Sequence, residues 1–151
     1  MRPFFLVLLL FQTPAQQSLP NLPDQRFIRD MRHKNIEDVL SLYAPDAVFV
    51  DTASHNYSTP KALRKLYQQV FATYDSDLKL ELERTDVSRD ITLPLSTIVQ
   101  RGSFDESLHT RGTTITQRLC GHYTFAWMLQ EDGRWLIQRM EWLTTMCPTN
   151  P

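Results

Sequence analysis

Residues 119–146 read LCGHYTFAWMLQEDGRWLIQRMEWLTTM, and this stretch decides the fold. Asp132-Gly133 is the commonest two-residue hairpin signal. It joins two long runs rich in aromatic and β-branched residues, Leu119 to Gln130 and Arg134 to Met146, which predict two antiparallel strands. With Glu131 set opposite Arg134, Leu129 faces Leu136, Trp127 faces Gln138, Phe125 faces Met140 and Tyr123 faces Trp142, all on one side of the sheet. The other side carries Met128, Ile137, Ala126, Arg139, Thr124, Glu141, His122 and Leu143. The aromatic side must be covered by helices, while the mixed side is partly wet or meets a partner chain.

Working back from the hairpin, the period-two pattern continues. Leu78, Leu80 and Leu82 alternate with Lys79, Glu81 and Glu83 from Asp77 onward, giving a half-exposed strand. Pro94 interrupts, and Leu95 to Phe104 predicts a further strand. Glu106 to Gln117 is polar and reads as a loop with frayed strand ends. Before these strands the period is helical. Thr59-Pro60 is a capping hydroxyl followed by proline at the first helical position, and Leu63, Leu66, Tyr67, Val70, Phe71 and Tyr74 then share one face. Thr52 to Thr59 is polar loop, and Ala47 to Asp51 a short strand. Asp24 to His33 carries the stripe Phe27, Ile28, Met31, and Ile36, Val39, Leu40 and Tyr43 extend a helical spacing until Pro45.

The first residues read as an address. Met1-Arg2-Pro3 is a positive start, Phe4 to Phe11 an unbroken apolar run of eight, and Thr13 and Ala15 place small residues before a cut after Ala15. Eight apolar residues cannot cross a ~30 Å hydrocarbon core, which needs about 20 helical residues. Residues 1–15 are therefore expected to be a signal peptide, 16–23 a short tether around Pro20 and Pro23, and 24–146 a single domain. No membrane anchor is expected after cleavage, and the protein is expected to be exported, periplasmic or secreted. In an oxidising compartment Cys120 and Cys147 read as a disulfide. In the hairpin register Cys120 opposes Thr145, so Cys147 is only two positions away; two separate buried thiols are the alternative.

Composition narrows the class. The chain has 151 residues, 42% apolar and 22% charged, with a formal charge of −1. That suits one domain with a sizeable core and does not suit a disordered chain. There is no basic excess of the kind that marks a nucleic-acid binder. His33, His55, His109 and His122 are scattered, with no metal-ligand spacing, and neither a Gly-rich phosphate loop nor a Ser-His-Asp order occurs. No metal or cofactor is expected.

Two helical segments, a short strand ending in Asp, a capped helix and four long antiparallel strands: this order resembles the nuclear transport factor 2-like superfamily, and within it the SnoaL-like and ketosteroid-isomerase-like branch. The residues that carry the likeness are Leu42-Tyr-Ala-Pro-Asp-Ala-Val-Phe-Val-Asp51, the helix entry from Tyr57 to Leu63, Gly121-x-Tyr123 and Asp132-Gly-Arg-Trp-Leu-Ile137. It spans Asp24 to Thr145. The resemblance implies an α+β cone, cystatin-like in outline: a strongly curved antiparallel sheet wrapped around N-terminal helices and enclosing an apolar pocket.

The resemblance also points to Asp51, the place of the general base in ketosteroid isomerases. At a pocket mouth beside Phe49 its pKa could be raised and it could move protons, with His55, four residues on, as its helper. Against this, Asp51 could merely cap the following loop, as an Asp does there in non-catalytic members. The oxyanion donors of the isomerases fall at Phe27 and Phe125, which cannot donate, so ketosteroid isomerisation is not expected. Phe27, Tyr123, Phe125, Trp127, Leu129, Met140 and Trp142 are expected to be core and pocket wall at once, with Gln138 as one polar group able to orient a ligand. Arg139 and Glu141 fall outward, suited to an ion pair or a subunit contact. Two functions follow: a module that binds a small hydrophobic molecule or assembles as a homodimer, or a cofactor-free isomerase, cyclase or hydratase using Asp51.

Overall fold

The computed structural model describes residues 24–89 and 96–147. The expected signal peptide (1–15), the tether (16–23) and the Pro94 interruption lie outside the described residues. Within them the chain runs α1 (Asp24–His33), α2 (Ile36–Leu40), β1 (Tyr43–Val50), β2 (Asn56–Tyr57), α3 (Pro60–Thr73), β3 (Tyr74–Arg89), β4 (Ser96–Thr110), β5 (Thr116–Leu129) and β6 (Trp135–Thr145). The strands form one curved sheet in the order β2-β1-β6-β5-β4-β3. No described helix is long and apolar enough to cross a membrane.

The four long strands pair antiparallel, but β1 lies parallel to β6, so the sheet is mixed where a wholly antiparallel one was expected. Antiparallel order follows from pairing between neighbours in sequence; β1 and β6 are joined by no hairpin, for α3 precedes β3 at the opposite edge of the sheet and the antiparallel run β3-β4-β5-β6 returns the chain to lie beside β1. The β1 ladder is irregular between Tyr43 and Val48. Pro45 falls in that stretch and has no N–H to offer.

Helix ends follow local chemistry. Thr59 Oγ1 accepts from the Ala62 N–H (3.1 Å) and Pro60 opens α3, which buries Leu63, Tyr67 and Phe71. Asn35 Oδ1 accepts from the Asp38 N–H, yet α2 stops at Leu40. The helix expected to reach Pro45 is corrected here: Tyr43 and Ala44 are strand, because the residue before proline avoids helical backbone. The Ile137 N–H, 2.7 Å from the Leu42 carbonyl, begins the join to β6. Phe27 and Met31 turn α1 onto the sheet.

The hairpin register holds from Cys120↔Thr145 to Ala126↔Arg139 and then slips by one. Trp127 pairs with Ile137 and Leu129 with Trp135, instead of Gln138 and Leu136. Gln138 is the extra residue of a β-bulge, and the slip carries Ile137 from the mixed side into the core, where it is fully buried. The polar stretch after Glu106 is strand, not loop. β4 runs to Thr110 and β5 starts at Thr116, because their polar residues pair across the ladder, as Asp105 does with Arg118. Likewise the loop after Asp51 contains β2, whose Tyr57 stacks on Phe49 at 5.5 Å. Cys120 and Cys147 are joined by a disulfide, their Cα atoms 4.9 Å apart. Arg139 bonds Glu141 at 2.8 Å on the outer side.

Candidate functional site

Between the helices and the concave side of the sheet lies a cavity of about 210 Å³. α1 contributes Phe27 and Met31, α3 Leu66 and Val70, and β6 Met140 and Trp142. Its polar lining is Asp51, Tyr67, Tyr74 and Glu106.

Of the residues expected to line a pocket, the structure places Phe27, Met140, Trp142 and Asp51 on this wall. Tyr123, Phe125 and Trp127 lie behind it as packed core. Phe125 meets Phe27 edge to face at 5.3 Å, and Trp127 donates its Nε1–H to Gln100 Oε1 at 2.7 Å. Tyr123 stacks behind Trp142 at 6.2 Å. Leu129 and Gln138 sit at the far end of the hairpin, Gln138 in the bulge and off the cavity wall. Inward direction is therefore not enough to reach the cavity.

Asp51 is committed to its loop. Oδ1 accepts from the backbone N–H of Ala53 and of His55, both at 2.9 Å. Oδ2 meets His55 Nδ1 at 2.9 Å and accepts from the Tyr57 hydroxyl at 3.2 Å. Burial by itself would raise the Asp51 carboxyl, but the side-chain bond, backbone N–H and charge of His55, with the Tyr57 hydroxyl, outweigh it. The group is held below the usual aspartate value, opposite to the raised value that a general base would use. His55 is two-thirds exposed and is not on the cavity wall.

Sequence reading missed two polar features. Tyr67, taken as helix core, lines the cavity, and its hydroxyl meets that of Tyr43 at 2.5 Å; Tyr43 Oη in turn lies 3.0 Å from Met140 Sδ. Burial is the main cause that lifts both phenols well above the normal range; the neighbouring Tyr67 adds to the rise of Tyr43, while for Tyr67 the bond from Tyr43 works against burial and the charge of Glu106 works with it. Glu106 lines the cavity although only 7% exposed. Its Oε1 accepts from Ser76 Oγ at 2.6 Å, across the β3–β4 ladder. Burial pushes its carboxyl above the usual glutamate value, and the Ser76 bond offsets only part of that. The available signal was alternation: Phe104, Glu106 and Leu108 are spaced by two, so a strand that buries Phe104 also turns Glu106 inward. Among the described residues no cluster of His, Cys, Asp and Glu could hold a metal ion.

A curved sheet closed by helices around an apolar interior is the architecture of the nuclear transport factor 2-like superfamily. A superfamily protein from Salmonella enterica serovar Typhimurium matches with a TM-score of 0.65 and 13% identity, over 85% of this chain and 88% of that one. The SnoaL-like domain family matches residues 25–137, and the chain belongs to that family. A ketosteroid isomerase-like protein from Erwinia carotovora atroseptica is similar in fold (TM-score 0.65, 17% identity, 78% of this chain and 87% of that one). So is a conserved protein from Planctomyces limnophilus (TM-score 0.69, 16% identity, 81% and 90%). The comparison with curated proteins found no match.

Proposed function

We propose that the protein binds a small, largely apolar molecule in the cavity between α1, α3 and β6. The observation that carries this reading is the cavity itself, walled by Phe27, Met31, Leu66 and Val70 with few polar groups, the usual make-up of a small-molecule site. Its modest volume suits a compact ring system better than a long chain. Asp51 as a general base is supported less well, since all of its oxygens are engaged by loop donors and its proton affinity is lowered. Trp142 is a built-in reporter. A screen of apolar compounds on the mature protein should quench or shift its fluorescence and raise the melting temperature; the absence of any such ligand would refute the reading.

The leader pattern in residues 1–15 and the Cys120–Cys147 disulfide support an exported protein. Assembly as a homodimer through the outer side of the sheet is a second reading, favoured by Leu143, which is 48% exposed there. Sedimentation of the parent and of Leu143→Glu tests it: a dimer that the charge dissociates is expected, and a monomeric parent ends the idea.

A further inference from the structure

The charged groups on the cavity wall are all of one sign. Asp51 and Glu106 are acidic, and among the described residues no Lys, Arg or His side chain lines the cavity. The two carboxylates differ in what already binds them. Asp51 is satisfied by Ala53, His55 and Tyr57. Glu106 has Ser76 on Oε1, and among the described residues no donor reaches its second oxygen. Glu106 is 7% exposed as a residue and lines the cavity, and among the described residues it has no cation and one oxygen without a donor, where buried acids ordinarily have a partner. The same cavity is lined by the rings of Phe27, Tyr67, Tyr74 and Trp142, and aromatic faces attract cations. An anionic ligand would meet two like charges here. A neutral one would leave the spare oxygen unpaired unless it brought its own donor.

We propose that the cavity selects a hydrophobic molecule bearing a basic amine, with Glu106 as the counter-ion of its ammonium group and the aromatic wall packed against its ring. This rests on the small-molecule reading above and adds the ligand's chemical class. Asp51 contributes long-range attraction only, because its oxygens are occupied.

The test is a calorimetric comparison, at neutral pH, of three probes of one shape: phenethylamine, phenethyl alcohol and phenylacetate. The amine should bind about tenfold or more tighter than the alcohol, and phenylacetate weakest. Glu106→Gln keeps the shape and an acceptor for Ser76, and should bring the amine to within about twofold of the alcohol. Glu106→Asp, which retains charge with shorter reach, should keep part of the preference, and Asp51→Asn most of it. Circular dichroism checks that each variant is folded. Equal binding of amine and alcohol by the parent overturns the ammonium proposal and leaves the binding reading intact, as does a preference that survives Glu106→Gln. Binding of none of the three overturns the proposal together with its basis.

Discussion

His55 Nδ1 lies 2.9 Å from Asp51 Oδ2, and the same histidine's backbone N–H lies 2.9 Å from Asp51 Oδ1, so one residue grips both oxygens of the carboxylate. That double hold turns a candidate catalytic pair into the clasp of the loop between β1 and β2. Asp51→Asn should retain the two backbone bonds at Oδ1 and lose the charge, costing about 1 kcal/mol. Asp51→Ala should cost roughly 2–3 kcal/mol, because the loop amides lose their acceptor. The lowered folded pKa means that the ionised group's contribution is present above the ordinary aspartate value and is lost as pH falls through the folded value. Denaturant melts should therefore show the gap between parent and Asn variant closing only in acid. A gap unchanged through that range would show that the charge plays no part in the clasp.

The disulfide ties the segment just after β6 to β5 across a separation of 27 residues. For a loop of that size the chain-entropy model gives ~3–4 kcal/mol. Replacing both cysteines by alanine should lower stability by about that amount and leave the cavity, built from other residues, able to bind. Native mass analysis of the parent should find two hydrogens fewer than the dithiol. Two titratable thiols in the folded protein would contradict the bridge.

Gly102 on β4 is required by close approach. A Cβ built there meets the Glu81 carbonyl oxygen of β3 within hard-contact distance and the Tyr123 hydroxyl at 2.7 Å. The carbonyl belongs to the ladder backbone and cannot swing away, so Gly102→Ala must part β3 from β4 or displace buried Tyr123. A loss of about 2 kcal/mol or more is expected from urea unfolding, against ±0.5 kcal/mol for an ordinary surface change. Gly112→Ala offers a contrast: open space surrounds it, and its penalty comes only from a φ of +73°.

What was legible in the sequence was whatever local chemistry decides. Asp132-Gly133 marked the turn, Thr59-Pro60 the start of α3, and the alternation of Leu78, Leu80 and Leu82 the strand that became β3. Non-local choices were not legible. The bulge at Gln138 inserts one residue without disturbing the alternation on either side, so Ile137 was placed on the wrong face. The parallel join of β1 to β6 depends on the path of the whole chain, which brings β6 back beside β1 after the run β3-β4-β5, and the two strands' own residues do not encode it. Polarity misled at Glu106: acidic residues usually mark loops or wet faces, whereas this one is carried inward between Phe104 and Leu108. For the same reason the candidate site was half seen. Phe27, Met140 and Trp142 announced themselves as apolar, while the hydroxyl of Tyr67 and the carboxyl of Glu106 were hidden in segments read as core and loop.

Glu106 also governs how stability should depend on pH. Burial, against the smaller opposing effect of the Ser76 bond, raises its folded pKa above the unfolded value. The folded chain thus holds this proton more tightly than the unfolded chain does. At pH below the unfolded value both states are protonated and Glu106 costs nothing. As pH rises through the ordinary glutamate range the unfolded state ionises first and is favoured, so stability falls until the raised folded value is passed. Glu106→Gln removes that titration while keeping an acceptor for Ser76 Oγ. The variant should match the parent in acid and become the more stable of the two towards neutral pH, the difference levelling off above the folded pKa. Paired thermal melts across that range measure it. A Gln variant less stable than the parent at neutral pH would mean that the ionised carboxylate is stabilised in the folded state.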